Sequence, residues 1–348
     1  MSRLSVILPR AAAAGAVFAT FALAGCSEPA SSPREIAPDG ASLALNPDIT
    51  DPTGRHVFHT KEWHANEAQN AAGHGKPGGG GNTGISYHGG PVLQSTTKVV
   101  TIYWANDTIF RNGPTPGTSG AGSGDASNVG YFLSHLGGSD YFNINTTYTN
   151  GSIPIVNSVQ YVQYWANNTN APTGTQSVSD ADMLAMLEKG FGTNGPLTYD
   201  PNTLYAIFTS GKVNLGGGFS SPLQYCAYHY HGTVNVGGVA RTVLYAAMPY
   251  NYAYPGSCTA GTSAANGDPG ADYEVNTLAH EVEETTTDMM GTAWFDVRGY
   301  ENADKCAWQF GTLGLNGGKA NVSIGARNYL VQMNWVNANS GGCAQTWP

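Results

Sequence analysis

Apolar and polar positions along this chain follow two periods, one helical and one extended. Val275, Leu278, Val282 and Met289 recur at helical spacing and predict about four turns of amphipathic helix. Asp268-Pro269 or Asp272 can start that helix, and Gly291 stands where a left-handed C-terminal cap belongs. Thr285, Thr286 and Thr287 each cost roughly a few tenths of a kcal/mol against Ala in a helix, so the last turn needs outside support. Lys98 to Trp104 is rich in β-branched and aromatic residues and predicts a strand. Thr203–Thr209 and Thr242–Met248 are short apolar runs suited to buried strands. Ser179-Asp180-Ala181-Asp182 forms a capping box ahead of MLAMLEKGFG, with Gly190 as the stop. Gly89-Gly90-Pro91, Asn150-Gly151 and Gly216-Gly217-Gly218 mark turns. This succession predicts an α/β fold, loop-rich, with helices packed on a central sheet.

The N-terminal quarter lacks such periodicity. Arg3 and Arg10 precede an apolar run, Ala11 to Gly25, too short for a membrane span and ending Leu23-Ala24-Gly25-Cys26. Residues 1–25 therefore read as an export signal of the bacterial lipoprotein type. Cys26 is then the lipidated new N-terminus, and lipid chains anchor the protein at the cell envelope, at the outer membrane if the host has one. Residues 26–84 read as a Pro-, Ser- and Gly-rich tether with too little apolar content for a core. Within it, His56, His59 and His64 lie close together. They are assigned to solvent rather than to a metal tract. The folded domain is expected over 85–348.

Composition sharpens this picture in two respects. The 348 residues carry a formal net charge of −9, with only 11% charged residues and 46 glycines. Loss of the leader removes Arg3 and Arg10 and leaves the remainder more acidic, which argues against nucleic acid as a partner. Four cysteines follow Cys26; in an exported chain disulfides are the default, and three pairings are available. Pairing in sequence order gives Cys226–Cys258 and Cys306–Cys343.

The chemistry concentrates between Leu278 and Cys306. On a helix, His280 and Glu284 stand one turn apart on one side and can reach a single cation. Glu281 lies about 100° round and can reach a ligand on that cation instead. Glu301 and Asp304 follow in GYENADKC. This layout resembles the zinc-protease helix motif His-Glu-x-x-His with a third Glu ligand on a later segment. The thermolysin-like family is the nearer comparison, because Thr287-Asp288 matches its Thr-Asp after the second ligand. The resemblance implies a zincin-like helix with His280, Glu284 and Glu301 as metal ligands and Glu281 as general base. Asp304 and Asp288 would orient the ligands from behind. Glu284 stands where that family has its second His, and carboxylate-rich sites lean towards calcium. Zinc is the expected ion if the site is catalytic, acting on a peptide or cell-wall substrate. A solvated acidic helix face is the plain alternative. His229 and His231, in YCAYHYH, are additional candidates for the metal shell.

Three separated segments resemble the EXORDIUM (phosphate-induced protein) family, in its bacterial lipoprotein branch. They are Tyr87-His88-Gly89-Gly90-Pro91 with the strand after it, Leu136 to Tyr148, and Ile324 to Cys343 with its Gly-x-Arg-x-Tyr-Leu. Cys226 and His229 match a Cys-x-x-His element of the same family. The resemblance implies an extracytoplasmic surface protein, linked in plants to growth responses. The plant pattern lacks the His280-Glu281 pair. A non-catalytic envelope or carbohydrate-interacting protein is the competing class. A glycosidase-like carboxylate pair is a further, catalytic alternative, with Asp296, Glu301 and Asp304 as its candidates, and Trp294 and Trp308 offer surfaces for sugars.

Overall fold

The computed structural model describes residues 55–66, 84–216, 225–261 and 263–348. The leader, Cys26 and the remainder of the predicted tether, as well as Gly217 and Gly218, lie outside the described residues. Seven strands form the main sheet: β1 (His56–His59), β2 (Thr97–Tyr103), β3 (Ser119–Ala121), β4 (Val159–Trp165), β5 (Thr203–Phe208), β6 (Tyr225–Val236) and β7 (Val239–Met248). Their order across the sheet is β1-β6-β7-β5-β2-β4-β3. The central strands β7, β5, β2 and β4 run parallel to one another, and antiparallel pairs close both edges. Strands buried on both faces read as continuous apolar runs, and β5, TLYAIF, is buried at all six positions.

Three helices cover the two faces: α1 (Asn128–Leu136), α2 (Asp180–Gly190) and α3 (Pro269–Thr287). Because strand side chains alternate, Val99, Leu204, Phe208, Leu244 and Met248 pack with Phe132 of α1 and Val275, Leu278 and Val282 of α3. Val100, Ile102, Ile207 and Val243 pack on the other face with Met183, Met186 and Leu187 of α2. The expected α/β arrangement is what the chain adopts. The α2 capping box is complete: Ser179 Oγ accepts from the Asp182 N–H, and Asp182 accepts from the Ser179 N–H.

Two expectations need correcting. The stretch 55–66 is not tether: β1 pairs antiparallel with β6, His56 lying opposite His229 and Phe58 opposite Ala227. Four residues among Gly, Pro and Ser carry little periodicity of their own, so only the neighbouring strand identifies them. β6 and β7 form a long hairpin across Gly237 and Gly238, both at positive φ. The glycines give the turn the backbone twist that flanking strands require. Helix α3 stops at Thr287, and Gly291, at φ +70°, lies in the following turn. Asp288 organises that turn, its carboxylate accepting from the N–H groups of Thr292, Ala293 and Trp294. The threonine turn is held from outside: Thr286 shares a hydroxyl contact with Thr97, and its carbonyl accepts from the Leu93 N–H.

Both disulfides pair in sequence order, Cys226–Cys258 and Cys306–Cys343. Cys226 opens β6 beside Phe58, and Cys306 ties the loop after α3 to the C-terminal ladder at Cys343. Cys226–Cys258 spans 32 residues, and closing a loop of that size removes about 3–4 kcal/mol of unfolded-chain entropy. The double replacement Cys226→Ser/Cys258→Ser should therefore lower unfolding stability by about that amount. Urea titration followed by tryptophan fluorescence measures it; an unchanged midpoint would contradict the assignment.

Candidate metal centre

Helix α3 is buried on all sides from Gly270 to Thr287, including its charged positions. His280, Glu281, Glu283, Glu284 and Glu301 are all 0% exposed, so the solvated acidic face does not exist here. One side of the helix contributes to the core described above. Glu283 points to a separate polar pocket, where the Asn145 amide donates to it at 2.6 Å. His280, Glu281 and Glu284 instead face β1, β6 and the 301–304 loop.

Three ligand-type groups gather here: His280, Glu284 and Asp304. The His280 Nε2 lies 3.0 Å from Glu284 Oε1 and 3.4 Å from Asp304 Oδ1. The Asp304 backbone N–H donates to Glu284 Oε1 at 3.0 Å, locking the loop onto the helix. Phe58 of β1 stacks on the His280 ring, centroids 4.0 Å apart, with Trp308 on its other side. Neither nitrogen of His280 meets hydrogen-bond geometry, nor does Glu284 Oε2. Such atoms, close together yet not aimed at one another, are what a shared ion would draw into a shell.

Glu301 does not join this group. Its backbone N–H donates to Asp304 Oδ2, and a 3₁₀ turn over Asp304–Cys306 turns Asp304 towards the helix. The Glu301 side chain goes to β1 and β6, with Oε2 2.7 Å from His56 Nδ1 and 3.7 Å from His229 Nε2. The carboxylate that stands beside His280 and Glu284 is therefore Asp304, whereas Glu301, the third member of the expected set, lies with His56 and His229. His229 Nδ1 lies 3.2 Å from Glu281 Oε2 and 3.6 Å from Glu284 Oε2. His231, two residues on, is only partly buried and joins none of these groups. Asp288 is occupied by the turn after α3. Asp296 holds the next turn and pairs with Lys305 at 3.0 Å. Trp294 is packed in a small core with Tyr148, and Trp308 against Phe58, so neither is a free sugar platform.

Burial dominates the electrostatics. It pushes the carboxyls of Glu281 and Glu301 well above the ordinary range, and nearby carboxylates add to the rise. Glu284 is pushed up to about 7 by burial and the Asp304 charge, against the pull of His280. Burial disfavours a charged His280, but Glu284 and Asp304 override it and raise the ring well above the usual histidine value. For Asp304 burial is outweighed by His280, which holds the carboxyl low. His229 is driven well below the histidine range by burial and by His56 and His280. Fully ionised, a carboxylate-rich cluster of this kind is costly unless protons or a cation neutralise it. Lys305, next to Asp304 in sequence, is engaged with Asp296. A cavity of about 300 Å³, lined by His64, Tyr300, Asp304 and Lys305 among others, reaches the Asp304 side of the cluster.

Fold and site together define an α/β protein with two disulfides, which fit an oxidising, extracytoplasmic setting. None of the described helices is long and apolar enough to cross a membrane. The chain is similar to Protein EXORDIUM-like 3 of Arabidopsis thaliana, 30% identical over 174 residues, a span of 42% of this chain and 50% of that protein. The chain thus spans about half the length of that curated relative. No family model matches it, and no solved structure matches it.

The sequence points to His280 and Glu284 as ligands with Asp304 behind them, but assigns His56 to solvent, because its partners lie in β6 and beyond α3. The one available signal was HVFH, where residues at alternate positions share a strand face. Gly291 makes room for that ring: a Cβ there would run into His56 Nε2. Gly291→Ala also places a side chain at φ +70°, a conformation that costs a non-glycine residue about 1 kcal/mol before any clash. The variant should unfold at a lower temperature than wild type by calorimetry; equal stability would mean that His56 does not occupy this position.

Proposed function

We propose that this is an exported EXORDIUM-like protein that holds a divalent metal, preferentially zinc, on His280, Glu284 and Asp304 and uses it for hydrolysis. The observation that carries the reading is the convergence of these three buried groups within 3.4 Å of the His280 Nε2, with the ring nitrogens unsatisfied. Imidazole and carboxylate donors suit zinc, and three protein ligands leave a position for water. When bound, the metal polarises a carbonyl and acidifies its water. Glu281 is the base: it follows His280 in sequence, its Oε2 is steadied by His229 at 3.2 Å, and its Oε1 has no hydrogen-bond partner. Burial raises the Glu281 carboxyl well above the ordinary carboxylate range, and a carboxyl so raised is a stronger base that can take a proton from water and return it to a leaving group. The His64–Asp304 cavity is the route by which a peptide or cell-wall substrate reaches the centre. Lipid chains on Cys26 would keep the protein at the envelope.

A second reading, a purely structural ion, is favoured by the Phe58 ring lying over His280. Two measurements separate them. Elemental analysis of the purified full-length protein should find zinc, with one equivalent lost in Asp304→Ala while the fold persists by circular dichroism; calcium, or no metal, would sink the centre as proposed. Glu281→Gln should keep the metal and cut peptide hydrolysis by about 100-fold or more. Hydrolysis that is absent in wild type, or that survives this change, would leave only the structural ion.

A further inference from the structure

Three groups near the centre are not explained by it: His56, the Nε2 of His229, and Glu301. We propose that they form a second metal site, so that the centre holds two ions. This inference rests on the metal reading above and extends it.

The geometry is specific. His56 Nδ1 and His229 Nε2 approach the same oxygen, Glu301 Oε2, at 2.7 and 3.7 Å. The two rings stack with centroids 5.3 Å apart, because the β1–β6 register sets these residues directly opposite each other. His56, His229 and Glu301 are 6%, 2% and 0% exposed, so water does not complete their valences freely. Yet His56 Nδ1, His229 Nε2 and both oxygens of Glu301 lack hydrogen-bond geometry. A simple His–Glu ion pair at 2.7 Å would align the ring N–H with the carboxylate oxygen; here the two atoms are close without that alignment. Two imidazoles and one carboxylate are a donor set that zinc accepts, with an open fourth position.

The two sites are joined by bidentate side chains. His229 presents Nε2 to Glu301 and Nδ1 to Glu281 and Glu284. Glu284 turns Oε1 to His280 and Oε2 to His229. One ring and one carboxylate thus span the space between His56 and Asp304. Paired ions so bridged are suited to clamping an attacking water and a leaving oxygen together. The second site also gives β1 a reason to be where it is, since His56 is its only contribution to either metal group.

The test is metal stoichiometry on full-length protein loaded with zinc and freed of excess. Two equivalents are expected in wild type, one in His56→Ala and one in Asp304→Ala. Loaded instead with manganese, wild type should give the broadened resonance of two coupled ions, and His56→Ala the sharp signal of an isolated one. A single equivalent in wild type, kept in His56→Ala and lost in Asp304→Ala, overturns the second site and leaves the first. A single equivalent lost in both variants means one shared ion and likewise overturns it. No metal in wild type removes both sites together. The wild-type count and resonance need no variant, so they decide the matter even if His56→Ala misfolds; His56→Gln then serves as the milder change.

Discussion

The constraint on which this structure depends is the burial of a carboxylate-bearing helix face. Leaving an ionised carboxylate unpaired in a protein interior costs several kcal/mol, and α3 carries Glu281, Glu283 and Glu284 at 0% exposure. A solvated helix would avoid that cost by facing its acids outward. Here both sides of α3 are covered, one by the apolar core and the other by β1, β6 and the 301–304 loop. The arrangement is tenable because each carboxylate has an assigned neighbour. Glu283 has an asparagine amide, whereas Glu281, Glu284, Glu301 and Asp304 have imidazoles and one another.

The elements around the cluster are fastened independently of it. The loop is tied to the C-terminal ladder by Cys306–Cys343 and braced by the Asp296–Lys305 pair. The start of β6 is tied by Cys226–Cys258, next to the Phe58 that covers His280. β1 itself is held by its ladder, by Phe58 between His280 and Trp308, and by the Trp308 indole donating to the His59 carbonyl at 2.9 Å. Side chains so fixed would be preorganised for the proposed cation, which would not need to gather them from solvent. A cavity lined by His64 and Asp304 opens on the Asp304 side of the cluster.

Local periodicity made much of the scaffold legible. The β2, β5 and β7 runs, the α2 capping box and the stripe on α3 announced themselves because each is specified by neighbours in sequence. Pairing the four cysteines in order was also sufficient. By contrast β6 was invisible as a strand, because YCAYHYHGTVNV mixes histidine, tyrosine and glycine without clean alternation. Gly291 was placed as a cap when its real constraint is the His56 ring. The third ligand was expected at Glu301 by analogy of spacing; a 3₁₀ turn carries Asp304 towards His280, while Glu301 faces His56.

What the sequence determined by itself was the helix that bears His280, Glu281 and Glu284 on adjoining faces, since a 3.6-residue period leaves no other placement. It also determined the class of fold, through the alternation of buried strands and capped helices. What only the tertiary structure decided was which distant groups meet that helix. His56 lies 224 positions before His280 by their numbering, and it arrives through an antiparallel ladder whose register depends on β6. Contacts of that range are set by strand pairing and core packing summed over the whole sheet, and no window of neighbouring residues contains them.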